Sequence, residues 1–182
     1  MHFYSLAAVA SCLTSTALAS PLLYRRQTET CSPSLNGTSA ISQITFDPNT
    51  REAWKPETDK VGGLTGVVVQ TLNTMSPPDP YWNITELSSN NYTVALADSY
   101  SNCLQDDGDG AANVGCQFLD WATWSIECDS CTDTASSGCR FRSARTVRCA
   151  THVQDGSPLG FQECEENGTQ SSKQSFSFSF GA

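Results

Sequence analysis

Seven of the nine cysteines in this chain fall between Cys103 and Cys164. So dense a segment constrains the fold more than any other feature, because its thiols must be paired, caged or kept reduced. Within it, Cys128-Asp129-Ser130-Cys131 has the C-x-x-C spacing of a redox dithiol or half a zinc site. No βαβ pattern surrounds it, and which chemistry applies depends on the compartment.

The N-terminal residues bear on that question. Leu6 to Leu18 is mostly apolar and uncharged, and Ala17-Leu18-Ala19 has the small-x-small pattern of a signal-peptidase site. Residues 1–19 therefore read as a signal peptide. The run ends at Ser20-Pro21, short of the ~20 apolar residues that a membrane span needs. Residues 20–26 end in the dibasic pair Arg25-Arg26 and read as a pro-segment, which leaves 27–182 as a single secreted cysteine-rich β domain. Four N-x-[ST] sequons, at Asn36, Asn83, Asn91 and Asn167, mark expected glycosylation sites on the surface. The end of the chain, SFSFSFGA, lacks the long apolar tail of a lipid-anchor signal. The expected location is extracellular, with no membrane partner.

Cys12 leaves with the signal peptide, and eight cysteines in an oxidising compartment imply four disulfides. Eight cysteines allow 105 pairings, so spacing only ranks them. Cys103 and Cys116 flank the turn-rich DDGDGAANVG, Cys131 and Cys139 flank TDTASSG, and Cys149 and Cys164 flank the hairpin signal Asp155-Gly156. The expected pairs are Cys103-Cys116, Cys131-Cys139, Cys149-Cys164 and, by elimination, Cys31-Cys128.

Alternation supplies the strands. ISQITFD at 41–47 is β-prone, and the three consecutive valines in GLTGVVVQTLN favour strand over helix. NYTVALADSY alternates, with Tyr92, Val94 and Leu96 on one face. Cys116 to Cys128 puts Cys116, Phe118, Trp124, Ile126 and Cys128 on an even face, interrupted at Asp120 and Ala122. The next run puts Cys139, Phe141, Val147, Cys149 and Val153 on an odd one. The tail reads as a final strand with Phe176, Phe178 and Phe180 inward, or as a low-complexity end. DPNTREAWKPETDK, with its prolines and charges, reads as a loop. No repeat of 20 to 50 residues is visible. The expected fold is all-β, a disulfide-stapled antiparallel sandwich or barrel.

The chemistry that remains is narrow. After processing, 8 basic residues against 19 acidic ones leave a charge of −11, which repels phosphate backbones and argues against nucleic acid. His152 is the one histidine of the mature domain, so a histidine pair and an H-E-x-x-H zinc site are absent. Gly156-Ser157 does not match a nucleophile elbow. Asp106, Asp107 and Asp109 with Asn113 lack the glutamate that closes a calcium loop and read as a solvated acidic turn. No catalytic residue, metal or cofactor is indicated. Arg140, Arg142, Arg145 and Arg148 hold half of the positive charge. On the strand reading Arg140, Arg142 and Arg148 share a solvent face that could meet an anionic partner or pair with nearby carboxylates. Trp121, with Trp82 and Tyr81, is the candidate aromatic surface.

Signal peptide, dibasic site, sequons and eight mature cysteines together resemble fungal small secreted cysteine-rich proteins, a class with many effector-like members. In its disulfides and short strands the chain is also similar to the Alt a 1-like secreted β-barrel proteins. With no catalytic constellation in the sequence, the expected function is that of a non-enzymatic, effector-like binding protein that acts on an extracellular protein or glycan of host, cell-wall or secreted origin. A carboxylate-dependent glycoside hydrolase and a structural cell-wall protein are the alternatives.

Overall fold

The computed structural model describes residues 29–35, 39–46, 51–58, 64–71, 81–88, 90–106, 108, 112–114, 116, 119–165 and 172–180. The expected signal peptide and pro-segment, Asn36, Asp107, Asp109 and Asn167 lie outside them. The described residues contain thirteen strands and no α-helix. These are β1 (Ser39–Thr45), β2 (Glu52–Thr58), β3 (Leu64–Thr71), β4 (Trp82–Ser88), β5 (Asn91–Leu96), β6 (Ser99–Asp106) and β7 (Ala112–Val114), followed by β8 (Thr123–Glu127), β9 (Ser130–Cys131), β10 (Ala135–Ser143), β11 (Arg148–Thr151), β12 (Gly160–Glu163) and β13 (Phe176–Phe180).

Six of them close a ring. β1 pairs with β4, β4 with β5, β5 with β8, β8 with β10, β10 with β13, and β13 again with β1, always antiparallel. Closure leaves these strands without a free edge, the liability of any open sheet. The other strands form three hairpins, β2–β3, β6–β7 and β11–β12, plus the two-residue β9 beside β10. Strand, hairpin, strand therefore occurs three times, in Ser39–Ser88, Asn91–Glu127 and Ala135–Phe180. This is the β-trefoil arrangement, and of the two expected architectures the structure selects the barrel.

The repeat missing from the sequence as a period is present as packing. The last strand of each unit carries an aromatic and, two residues on, a second apolar side chain: Trp82 and Ile84, Trp124 and Ile126, Phe176 and Phe178. All six are buried. Alternation sends these pairs inward from three sides of the ring. Both indoles donate to a carbonyl in the first strand of their own hairpin, Trp82 Nε1 to Trp54 O at 3.1 Å and Trp124 Nε1 to Leu104 O at 3.2 Å. Each bond satisfies an N–H that burial would otherwise leave unpaired.

Residues 52–58, expected as loop, form β2. Trp54 is completely buried there, and its burial outweighs the neighbouring charges. Pro56 is tolerated because β2 lies outside the ring, where a missing donor costs least. The strand expected over 116–128 is confined to β8; Leu119–Trp121 is a 3₁₀ turn. Val147 and Val153, expected inside, are both exposed, Val147 at a left-handed φ of 57° in the turn before β11. Asp106 is not solvated but buried, accepting from Gly108 N at 3.0 Å and from the Thr146 hydroxyl. Asn83 is not a surface sequon: it lies within β4 at 4% exposure, and its Oδ1 has no partner among the described residues.

The disulfides are Cys103–Cys116, Cys149–Cys164, Cys31–Cys131 and Cys128–Cys139. The first two are among the three pairs that turn signals indicated; the third such pair, Cys131-Cys139, does not form. The other two exchange partners relative to Cys31-Cys128 and Cys131-Cys139. Register is the cause: Arg140 faces Glu127 and Phe141 faces Ile126, which puts Cys139 opposite Cys128. Cys31 does meet Cys128 through backbone bonds at 2.9 and 2.7 Å, while its sulfur is bonded to Cys131.

Candidate functional site

The outer wall where β8, β10 and β11 lie side by side carries a depression of about 470 Å³ lined by Ser125, Glu127, Arg140, Arg142, Cys149, Cys164 and Glu165. Its residues follow from the pleat. Cys139, Phe141 and Ser143 take the inward positions of β10, so Arg140 and Arg142 point out. Ladder pairing sets Arg140 beside Glu127, and Arg142 between Ser125 and Cys149. The Cys149–Cys164 bridge forms part of the wall.

The two guanidiniums differ. Arg140 is largely buried, 3.5 Å from the Glu127 carboxylate, and donates to the Glu165 carbonyl oxygen at 2.9 Å. Glu127 is half exposed, so this pair adds little stability and serves to fix the side chain. Arg142 is exposed and has no ion-pair or hydrogen-bond partner among the described residues.

Arg148 does not join them. Because Arg142 pairs with Cys149, odd positions of β11 share the face of even positions of β10. Arg148 therefore sits on the face of Ala150, across from Glu163 on β12. The expectation of one shared face assumed unbroken alternation from 139 to 153, which the turn at 144–147 interrupts.

A second depression, about 520 Å³, is lined by Leu87, Ser88, Asn91, Asp120, Thr123, Ala144 and Arg145. Trp121 precedes it on the 3₁₀ turn, half-buried, with the Arg145 guanidinium 4.0 Å above its ring. One indole face is thus covered by a cation. Trp82 belongs to the core and is withdrawn from the aromatic surface that the sequence indicated, whereas Tyr81 beside it is exposed. The three aromatics do not form one surface.

His152, expected as a structural or surface residue, is buried against the Phe46 ring at 4.1 Å, with Nδ1 3.7 Å from Glu52. Among the described residues no group of three His, Cys, Asp or Glu side chains is placed to hold a metal. Ser125, Glu127 and Glu165 escaped the sequence reading. Ser125 and Glu127 were open to it, since assigning Trp124 and Ile126 to the core sends their odd-numbered neighbours outward.

No family profile and no curated protein matches the chain. Solved structures do. The Polyporus squamosus lectin bound to the human-type influenza-binding epitope Neu5Aca2-6Galb1-4GlcNAc superposes with a TM-score of 0.55 at 17% identity, over 78% of this chain and 49% of that one. This chain thus spans about half the length of that lectin chain. The designed 3-fold symmetric protein ThreeFoil gives 0.56 at 13% identity, over 76% of this chain and 97% of its own. At such identities the likeness is one of fold, matching the three units traced from strand pairing.

Proposed function

We propose that this chain is a secreted, effector-like, non-enzymatic protein that recognises an extracellular glycan through the depression between β8, β10 and β11. The observation that carries the reading is the lining of that depression: two guanidiniums, two carboxylates and a hydroxyl around a disulfide wall. Sugars are bound by fixed donors and acceptors that match their hydroxyls, and such groups are most exact on strands that cannot shift. The likeness in fold to a lectin with a bound oligosaccharide supports the same reading.

Secretion is proposed from the signal-peptide pattern and the four disulfides, which persist in oxidising compartments. Among the described sequons Asn91, at the start of β5 with its Nδ2 3.2 Å from Ser88 Oγ, is proposed to carry glycan beside Asn36 and Asn167, and buried Asn83 is not. Glycopeptide mapping that found Asn83 occupied would remove that assignment. For the binding reading, the mature protein is applied to an array of wall and host glycans beside Ser125→Trp, which fills the depression. Binding by the native protein and its loss in the variant are expected. Silence across the array, or turnover of the bound glycan, overturns the proposal, the second result in favour of a glycoside hydrolase.

A further inference from the structure

We infer that the sugar accepted by this depression is acidic, a ring whose carboxylate or sulfate sits on Arg142; the inference rests on the carbohydrate reading above. The two arginines divide the work. Arg140 is held by Glu127 and by the Glu165 carbonyl, so its donors are already directed into the protein. Arg142, directly opposite Ser125 on one side and Cys149 on the other, presents its fork outward with no partner among the described residues. A guanidinium matches a planar or tetrahedral oxyanion with two parallel N–H donors, a geometry that a point cation does not offer. On a mature domain of net charge −11, an unpaired cation inside a concave wall is an exception to the surrounding field and marks where a negative group is tolerated.

The rest of the lining separates an acid sugar from a bare anion. Glu127 and Glu165 repel a small oxyanion that brings no donors of its own. A sugar acid brings ring hydroxyls that donate to these carboxylates and to Ser125 while its charged group meets Arg142. Both halves of the site are then satisfied by one ligand. Arg148, exposed on the other face of the β10–β11 hairpin, is the built-in control.

The test measures binding of matched acidic and neutral probes by calorimetry: an oligogalacturonate and its methyl ester, a sulfated galactan oligomer and its desulfated form, and sialyl-lactosamine and lactosamine. The acidic member of at least one pair is expected to bind more tightly. Arg142→Gln should weaken that member at least about tenfold, the loss expected for a hydrogen-bonded charge. Arg142→Lys should recover part of it, Arg148→Gln should leave it unchanged, and raised salt should weaken it. If neutral probes bind and no acidic member is preferred, or if Arg142→Gln has no effect, the inference falls and the carbohydrate reading stands. If no glycan binds at all, the carbohydrate reading itself has failed.

Discussion

In the third unit, Ala135–Phe180, a bridge from Cys149 to Cys164 closes the hairpin of β11 and β12, and in the second Cys103–Cys116 does the same for β6 and β7. The first unit, Ser39–Ser88, has no cysteine at all. Ala53 precedes buried Trp54 there as Cys103 precedes buried Leu104 and Cys149 precedes buried Ala150. What holds this hairpin instead is reach. Trp54 packs on Trp82, Phe141 and Phe176, with ring centroids 6.2, 4.9 and 5.0 Å away, the last two from the third unit. Strand β3 also takes backbone bonds from the β11–β12 turn, Val69 N to Ser157 O at 3.2 Å, Gly156 N to Val69 O at 2.7 Å and Leu159 N to Val67 O at 2.8 Å. Two hairpins are closed locally by sulfur, and the third leans on a neighbour.

If that contrast is right, Trp54→Ala should be the most damaging single change, about 3–5 kcal/mol in urea unfolding. Trp54→Phe should cost far less, because the indole N–H has no partner among the described residues. The contrast breaks if Trp54→Ala proves milder than loss of a hairpin bridge. Replacing Cys149 and Cys164 together by alanine opens a 15-residue loop and should cost about 3 kcal/mol. Hydrogen exchange should then quicken in β12 and also in β3, since the turn between β11 and β12 bonds to β3; an unaltered β3 would show the first hairpin to be self-sufficient.

The arm at 29–35 combines both means. Cys31 ties it to Cys131, and Tyr92 donates its hydroxyl to Pro33 O at 2.5 Å. Burial, with the nearby Glu86 carboxylate adding to it, pushes the Tyr92 phenol up from 10.0 to about 12. A folded-state value above the unfolded one means that this contribution is complete below pH 10 and is lost as pH rises through about 12. At ~1.4 kcal/mol per unit, the decline amounts to roughly 2–3 kcal/mol. Tyr92→Phe should therefore lack this part of the alkaline loss in urea midpoints measured from pH 9 to 12; parallel curves for the two proteins would refute it. The smallest effect belongs to Asp155, whose carboxylate accepts from Thr71 N at 2.9 Å on the surface. Asp155→Ala should cost about 1 kcal/mol in the same assay.

Much of this was legible where a local signal matched a local constraint. Alternation placed Phe176 and Phe178 inward, and turn residues inside short loops pointed correctly to Cys103–Cys116 and Cys149–Cys164, though the same signal misled at Cys131-Cys139. Illegible features were those set by distant register. Whether Cys31 takes Cys128 or Cys131 depends on which of them faces Cys139 across β10, a fact with no trace near Cys31. β2 was hidden because Lys55, Pro56 and Glu57 outnumber Trp54 in any window, although burial of the indole decides the outcome. The site was half legible. Its arginines were visible as charge, but a turn of four residues reversed the face of Arg148, and Glu165 enters only through the fold.

Since β13 is the stave that joins β10 to β1, the cask cannot be hooped until residues 176–180 have left the ribosome. Until that moment two strand borders, those of β1 and β10, stand open to any neighbouring nascent chain. Products cut short before the Ser/Phe segment should therefore stick to one another instead of yielding a smaller working molecule.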